Sequence, residues 1–434
     1  MSDKTAARGR HPYWWDESAP DSRPANPPEQ LPKHVDILVV GAGFSGLSAA
    51  LTLARAGRQV LVVDADAVGH GCSSRNGGQI GPSFHKLGLD GLTQHYGRAK
   101  AEAILRESMQ SLQWLRAFIK AESIDCDLQN NGRFKGAHSE AALREMTQEC
   151  ADLERITGQR FLTVSEQDQH RYIGSDFYHG GIFYPDDGVL QPAKFVSGMA
   201  RRAQQAGAEI IAPARVRAIS RTTAGFDVVF DRHSLSAGQV LVATNGYSGP
   251  ELPFFRRRIL PIRSAIIATQ PLDPALVQTC FPQHNAVVDF TRLVLYYRPS
   301  PDGRRVVFGG RAFDLADRPD HYGPDLRRLM LRIFPQLDQA QISHAWSGTV
   351  AYTFDYAPHL GCHDGLHYVM GYCGSGVGRS GYFGRKIALQ MLNDPQGRTE
   401  MDSLTFPTRR FYSGKPWFLP AVLRWHSLLD RFGR

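Results

Sequence analysis

The segment Val35 to Asp64, VDILVVGAGFSGLSAALTLARAGRQVLVVD, constrains this chain more than any other stretch. Its apolar run Val35 to Val40 is short enough for a buried strand, and Gly41, Gly43 and Gly46 follow in the G-x-G-x-x-G spacing at which a helix opens. Each glycine has its own reason. Gly41 permits a tight turn, Gly43 lets the backbone approach a pyrophosphate, and Gly46 lets the helix Phe44 to Ala56 pack on the strand. The start of that helix, at Phe44 and Ser45, aims unpaired N–H groups and a positive dipole end at phosphates. Gly57 ends the helix, Gln59 to Val63 reads as a second buried strand, and Asp64 stands at roughly the 20-residue interval of a ribose-binding carboxylate. Asp64 would accept from ribose hydroxyls and repel a 2′-phosphate. FAD and NAD are therefore favoured over NADP, and both remain open at this point.

The next segment separates them. VGHGCSSRNGGQIGPSFH, from Val68, reads as an extended loop holding Ser73, Ser74, Arg75, Asn76, Gly77, Gly78 and Gln79. A simple NAD dehydrogenase would continue into another crossover helix. Hydroxyls, a guanidinium and glycine N–H groups instead suit a loop wrapped along a pyrophosphate and a flavin edge, against the plainer reading of a Ser/Gly surface loop. Far along the chain, strand 367–371 runs through Gly374, Ser375, Gly376, Val377 and Gly378 into a helix. That second glycine turn again directs free N–H groups at an anion or at developing negative charge.

Composition narrows the class. At 434 residues the chain exceeds a usual single core, so two domains are expected. Apolar content is 42%, and no uninterrupted apolar stretch reaches the roughly 18 residues of a membrane span. Residues 1–34 carry Tyr13, Trp14, Trp15 and six prolines but no secretory pattern, which points to an arm laid on the body and to a cytoplasmic enzyme. The six cysteines lack a C-x-x-C pair and read as free thiols. His359, Cys362, His363, His367 and Cys373 match no established metal spacing, so no metal is expected. The net charge of +8 is spread along the chain, with Arg256, Arg257 and Arg258 its densest run, and suits an anionic substrate or cofactor better than nucleic acid.

Periodicity predicts helices over 96–121, 140–157 and 195–206, a strand pair in IIAPARVRAIS, and strands over 226–230 and 239–243. Residues 259–317 hold three β-rich runs with a Pro-Asp-Gly turn before the last, which predicts an antiparallel sheet.

These motifs, with VLVATNGY at 240–247, LYYRPSPDGRRVVFGGR at 295–311, FPQLDQAQISHAWSGTVAYTFDYAPHLG at 334–361 and MGYCGSGVG at 370–378, give the chain a resemblance to a known family. It resembles the FAD-dependent amine and amino-acid oxidoreductases of the D-amino-acid oxidase and glycine oxidase type, most of all their gamma-glutamylputrescine oxidoreductase branch, over roughly residues 30 to 390. The resemblance implies an α/β fold in which a Rossmann-like FAD-binding domain (35–90, 180–250 and 345–400) is interleaved with an α+β substrate domain built on an antiparallel sheet (91–179 and 251–344). An N-terminal arm (1–34) and a C-terminal tail (401–434) flank them. It places Val216 near the adenine, returns the backbone at Ala243, Thr244, Asn245 and Gly246 to the dinucleotide, and sets the second glycine turn at the flavin's pyrimidine edge. FAD is expected to be non-covalent, because Arg75 and Asn76 stand where a tethering His would be needed and GTVAY carries no Cys.

The implied chemistry is oxidation of an amine C–N bond to an imine, which water hydrolyses, with O₂ reduced to H₂O₂. Burial in an aromatic pocket favours the uncharged amine, and Tyr296, Tyr297, Trp346, Tyr352 and Tyr356 are its candidate lining. A substrate carboxylate calls for a guanidinium: Arg311 first, then Arg298 and Arg263. His359 or Asp355 is the candidate to orient the amine, and Tyr352, Arg311 and His359 form the expected catalytic set. An FAD amino-acid dehydrogenase passing electrons to a quinone or carrier, and a flavin-containing binding or RNA-modifying protein, are the alternatives. Oligomeric state is not legible.

Overall fold

The computed structural model describes residues 9–18, 31–82, 84, 86–289, 294–311, 317–422 and 425. Two eight-stranded sheets dominate it. In the first, the strands Glu209–Ile211, Val60–Val63, His34–Val40, Ser234–Val242 and Leu366–Met370 lie side by side, all parallel. Parallel strands sandwiched on both faces read as continuous apolar runs, and these do. Ile37 and Val39 enter one core with Leu47, Leu53, Met199 and Ile387, whereas Leu38 and Val40 enter another with Val240 and Phe255. His359–His363 closes one edge antiparallel, and the hairpin Ala218–Thr222 with Gly225–Val229 pairs onto the outer end of Ser234–Val242.

Three helices cover one face: Phe44–Arg55, Pro192–Gln205 and Gly376–Met391. The first and third pack at unusually close range. A Cβ on Gly384 would collide with the carbonyl of Ser45, and the Ser48 hydroxyl donates to the Gly381 carbonyl at 2.7 Å. Glycine is needed here for close approach of two backbones, as at Gly46, whose Cβ would strike the Gly41 carbonyl.

The second sheet runs in the order Ile342–Tyr352, Leu260–Thr269, Val306–Arg311, Tyr296–Pro299, Ala286–Asp289, Arg133–Gly136, Gly181–Tyr184 and Leu162–Val164. It is antiparallel except where Ala286–Asp289 meets Arg133–Gly136 in parallel. Strand Gly181–Tyr184, from the 180–250 segment, and most of Ile342–Tyr352 thus pair in this sheet. Pro319–Ile333 covers it, over a core of Phe134, Tyr297, Phe308 and Phe334. The Pro-Asp-Gly turn forms, with Gly303 N–H donating to Ser300 O at 2.9 Å.

Three local expectations are corrected. The helix expected over 96–121 starts at Arg98 and runs Arg98–Ala121, because Gly97, at φ 80°, separates it from a preceding helix, Gly88–Tyr96. The two halves of IIAPARVRAIS do not pair with each other: Glu209–Ile211 extends the parallel sheet and Ala218–Thr222 joins the hairpin. The loop from Val68 contains a helical turn, Cys72–Arg75, since Ser74 turns its hydroxyl back to Gly69 O at 2.7 Å and Asn76 caps the exit by donating to Cys72 O and Ser73 O. Helix Glu140–Thr157 matches its expected bounds, with Ser139 accepting from Ala142 N–H as N-cap.

The described part of the arm docks. Gly9 adds a bridge to the free edge of Ile342–Tyr352, and Trp14 is wholly buried against Trp346. Its indole donates to Asn76 O at 2.9 Å, and that of Trp15 donates to Ser74 Oγ at 3.0 Å. Part of the tail docks as well, through Phe406 on His359 and the Tyr412 hydroxyl on Ile259 O.

Candidate active site

Two helix N-termini meet at the C-terminal ends of the parallel strands. The first follows strand His34–Val40. Gly41, at φ 115°, brings the turn so near that a Cβ would lie 2.7 Å from Ala243 O, and Gly43 is an N-cap with no side chain to offer. Ser73 supplies the missing cap from the next loop, its Oγ accepting from Phe44 N–H at 3.1 Å. The second follows strand Leu366–Met370: Gly371 and Gly374 both take positive φ, and Ser375 opens Gly376–Met391. Bridges hold the two turns together. Ser45 Oγ lies 2.6 Å from the Tyr372 hydroxyl, and the Asn245 side chain accepts from Gly371 N–H at 2.9 Å. Val377 and Gly378 belong to the first turn of the second helix.

Asp64 ends the second strand with one oxygen accepting from Ala42 N–H at 2.8 Å and the other from Asp66 N–H at 3.0 Å. Burial pushes its carboxyl up to about 6, against those N–H donors, which pull it down. A donor there, such as a ribose hydroxyl, therefore meets a strong acceptor. Val216 is buried in the core beside Val40 and Val63. Among the described residues, buried Arg379 Nε and Ser380 Oγ, in the opening turns of the second helix, have no partner. Burial holds the Arg379 guanidinium down to about 10. Two side-by-side helix N-termini, glycine turns that a Cβ would block, a ribose-level carboxylate and an orphaned buried guanidinium nitrogen fit an extended anionic dinucleotide such as FAD.

The loop residues make several bonds within the protein. Arg75 donates Nε to His70 O and a terminal nitrogen to Ser347 O, and it stacks over Trp15. Asn76 accepts from Gly78 N–H at 2.8 Å, and Gln79 donates to Val287 O and Tyr297 O. Ser74, Arg75, Asn76 and Gln79 thus spend their side chains on the protein. They shape the loop; Gly77 lies against Tyr296, and a Cβ on Gly78 would collide with Leu190 O.

On the second sheet, the candidates divide. Tyr297 is core, its hydroxyl 2.8 Å from that of Tyr178. Arg298 is buried, donating to Pro299 O and Leu190 O, and Trp346 donates to Arg75 O. All three are buried and bonded within the protein, although one terminal nitrogen of Arg298 has no hydrogen-bond partner among the described residues. Arg263 is engaged with Ser347 Oγ at 2.7 Å and Asp317 at 3.8 Å. Tyr296 is part-buried and bonds Ser264 Oγ at 2.9 Å.

Tyr352 and Arg311 do come together. The Arg311 guanidinium donates to Tyr352 Oη and lies over its ring at 4.9 Å. Lys86 Nζ is 2.7 Å from the same oxygen, and a Cβ on Gly374 would be 3.4 Å from it. The phenol therefore stands at the second glycine turn, between two cations. Burial alone would raise its pKa, but Arg311 and Lys86 outweigh that and hold it below the usual tyrosine value. Exposed Tyr356 stands edge-on to it at 6.3 Å.

His359 is elsewhere. It is 1% exposed, stacks on Phe406 at 4.3 Å and places Nε2 3.1 Å from both Asp355 oxygens. These contacts reach neither Tyr352 nor Arg311, so the expected trio separates into a pair and a buried histidine. Lys86, Tyr372 and Arg379 escaped sequence reading. Lys86 lies alone in a loop without periodicity, Tyr372 and Arg379 inside an apolar strand-to-helix passage; only their nearness to the second glycine turn could have flagged them.

The FAD dependent oxidoreductase (DAO) family matches residues 36–390. A probable oxidoreductase, OrdL, of Haemophilus influenzae is 31% identical over 94% of both chains. Gamma-glutamylputrescine oxidoreductase of Escherichia coli is 30% identical over 92% of this chain and 93% of its own. Among solved structures, glycine oxidase from Geobacillus kaustophilus superposes with a TM-score of 0.72 at 20% identity, covering 87% of this chain and 99% of that one. L-proline dehydrogenase from P. horikoshii does so at 0.71 and 19%, over 86% and 96%. At those identities the likeness is one of fold.

Proposed function

The chain belongs to the family of FAD dependent oxidoreductases, and from that membership we propose that it oxidises the C–N bond of a small amine carrying a carboxylate, of the gamma-glutamylputrescine kind, with O₂ as electron acceptor. FAD binds at the paired glycine turns, without a covalent link, and when bound accepts a hydride from the carbon next to nitrogen. Gly43, Ser45 and Gly46 present backbone N–H groups and close approach to the pyrophosphate, Gly41 and Phe44, whose N–H groups go to Val63 O and Ser73 Oγ, shape the turn, Asp64 takes the ribose, and Val216, Ala243 and Asn245 complete the adenosine side. Ser73 to Gln79 hold the loop that covers the cofactor, and Gly374 to Gly378 face the ring system.

The observation that carries the substrate reading is the convergence of Lys86, Arg311 and the Tyr352 hydroxyl beside Gly374. Two cations on one phenol leave positive charge in excess at that point. A carboxylate entering there gains charge-assisted hydrogen bonds from Arg311 and Lys86, and Tyr352 Oη orients it as the phenol or, as the phenolate that the two cations favour, receives the proton that an ammonium must lose before its carbon can give up hydride. His359 would act only through Asp355.

The test is an anaerobic panel of gamma-glutamylated amines, polyamines, N-methyl amino acids and cyclic imino acids, watched for bleaching of the flavin absorbance. With the substrate that bleaches it, oxygen uptake matched by peroxide supports the oxidase reading, whereas reoxidation by a quinone but not by O₂ replaces it with a dehydrogenase. Arg311→Ala should raise KM for an anionic substrate roughly 10–100-fold, the loss of a charge-assisted bond of about 1.5–3 kcal/mol. An unchanged KM removes Arg311 from the site.

A further inference from the structure

The arm and the second sheet bring together two imidazoles and a carboxylate. His11 Nε2 lies 3.1 Å from Asp16 Oδ1, His344 Nε2 lies 3.4 Å from Asp16 Oδ2, and the three ligand atoms all fall within 4.8 Å of one another. No other group of three His, Cys, Asp or Glu side chains among the described residues converges this way; the His359 to Cys373 set does not.

Hydrogen bonding orients the buried member. Ser343 Oγ sits 2.8 Å from Thr269 O and 3.2 Å from Ala268 O, so its proton goes to a carbonyl. Besides accepting from Arg305 at 3.0 Å, it can then accept from His344 Nδ1, 3.0 Å away. With Nδ1 carrying the ring proton, the Nε2 lone pair of the neutral imidazole points at a carboxylate oxygen. Lone pair against carboxylate is repulsive unless a proton or a metal cation lies between them. A ligating histidine whose other nitrogen donates to a fixed acceptor is the arrangement that metal sites use.

We propose that His11, Asp16 and His344 bind a divalent transition-metal ion of the zinc type, which clasps the N-terminal arm to the body. A tetrahedral ion with bonds of about 2.0–2.1 Å holds its ligand atoms about 3.3 Å apart, close to the 3.4 Å between His344 Nε2 and Asp16 Oδ2; His11 Nε2 faces the other carboxylate oxygen, 3.1 Å away. Rotation of the exposed His11 ring closes the third, and water takes the fourth position. Two imidazoles with one carboxylate suit zinc over calcium or magnesium, which take oxygen ligands. Gly9 allows the arm to pass, since a Cβ there would lie 2.5 Å from the His344 ring. The ion would tie down the segment whose Trp14 and Trp15 hold Asn76 and Ser74 of the cofactor loop.

The FAD-loaded full chain, free of any affinity tag, is dialysed against chelator, titrated with Zn²⁺ and assayed for bound metal by mass spectrometry and for thermal unfolding. One ion per chain is expected, with a melting temperature that rises with Zn²⁺ and falls back with chelator. His11→Ala and Asp16→Asn, both in exposed positions that leave the core intact, should each weaken binding at least tenfold and abolish the thermal shift, while His359→Asn retains both. No bound ion in the wild type, or equal binding by the wild type and the two arm variants, overturns the proposal and leaves a hydrogen-bonded His–Asp–His contact.

Discussion

Asp64 shows how one residue can be legible in part. Its distance from the glycine turn marks it as a ribose partner, but its titration depends on burial, which no spacing reveals. With a folded value near 6 against an ordinary 3.8, the apoprotein gains stability from this group below about pH 4 and loses it as pH rises through 6. With FAD bound as proposed, ribose hydroxyls would donate to the ionised form, so the cofactor would work in the opposite sense. FAD should therefore bind roughly tenfold more weakly at pH 5 than at pH 7. Equilibrium dialysis across that range checks this; in Asp64→Asn the pH dependence should flatten. Tyr352 and Arg311 were nameable because aromatics and an arginine stand out on strands. Their partner Lys86 was not, since a lysine in a loop has no period and its place is set only when the chain closes.

At the scale of elements, local pattern reported well wherever an element buries an apolar face. The strand–turn–helix–strand unit, helix Glu140–Thr157 and the two glycine turns lie where periodicity puts them. It failed where tertiary partners decide. The turn Cys72–Arg75 exists through Ser74 and Asn76 bonding backward, and the separation of the two halves of IIAPARVRAIS depends on strands far away in sequence. The pairing of helices Phe44–Arg55 and Gly376–Met391 was equally hidden, because it needs Gly384 to meet Ser45 across the fold. Gly384→Ala should wedge the helices apart at an overpacking cost of about 1–3 kcal/mol, and so lower both the melting temperature and the fraction of FAD retained after gel filtration. Arg385→Ala, at the half-exposed neighbouring position, should leave both readings unchanged.

For the whole molecule, the glycine-turn unit and the β-rich runs of 259–317 were legible from pattern and the interleaved two-domain α/β plan from the family resemblance, while the way the parts join was not. The long strand Ile342–Tyr352 runs along the edge of the second sheet and ends with Tyr352 at the second glycine turn. The turn after Ser234–Val242 abuts the same strand, where Tyr247 Oη accepts from Thr349 N–H at 3.2 Å. The arm completes the joint. Trp14 is 0% exposed, in keeping with an arm laid on the body through its aromatics. Trp14→Ala should cost about 3–5 kcal/mol in denaturant unfolding and hasten FAD loss, because Asn76 O and the loop it anchors lose their partner. A change within about 0.5 kcal/mol would mean that the arm rests on the surface without holding it.

The bridge from Ser45 to Tyr372 spans 327 positions of sequence, which gives the site a timing as well as a shape. A chain growing from its N-terminus can fold the first glycine turn early, but the second cradle for the cofactor does not exist until residues beyond 370 have emerged. The complete cradle, and with it cofactor capture, therefore belongs to the end of translation. Chains ended at residue 360 should remain colourless even in excess FAD, and the cellular supply of flavin should bear on how much of the nearly finished protein escapes degradation.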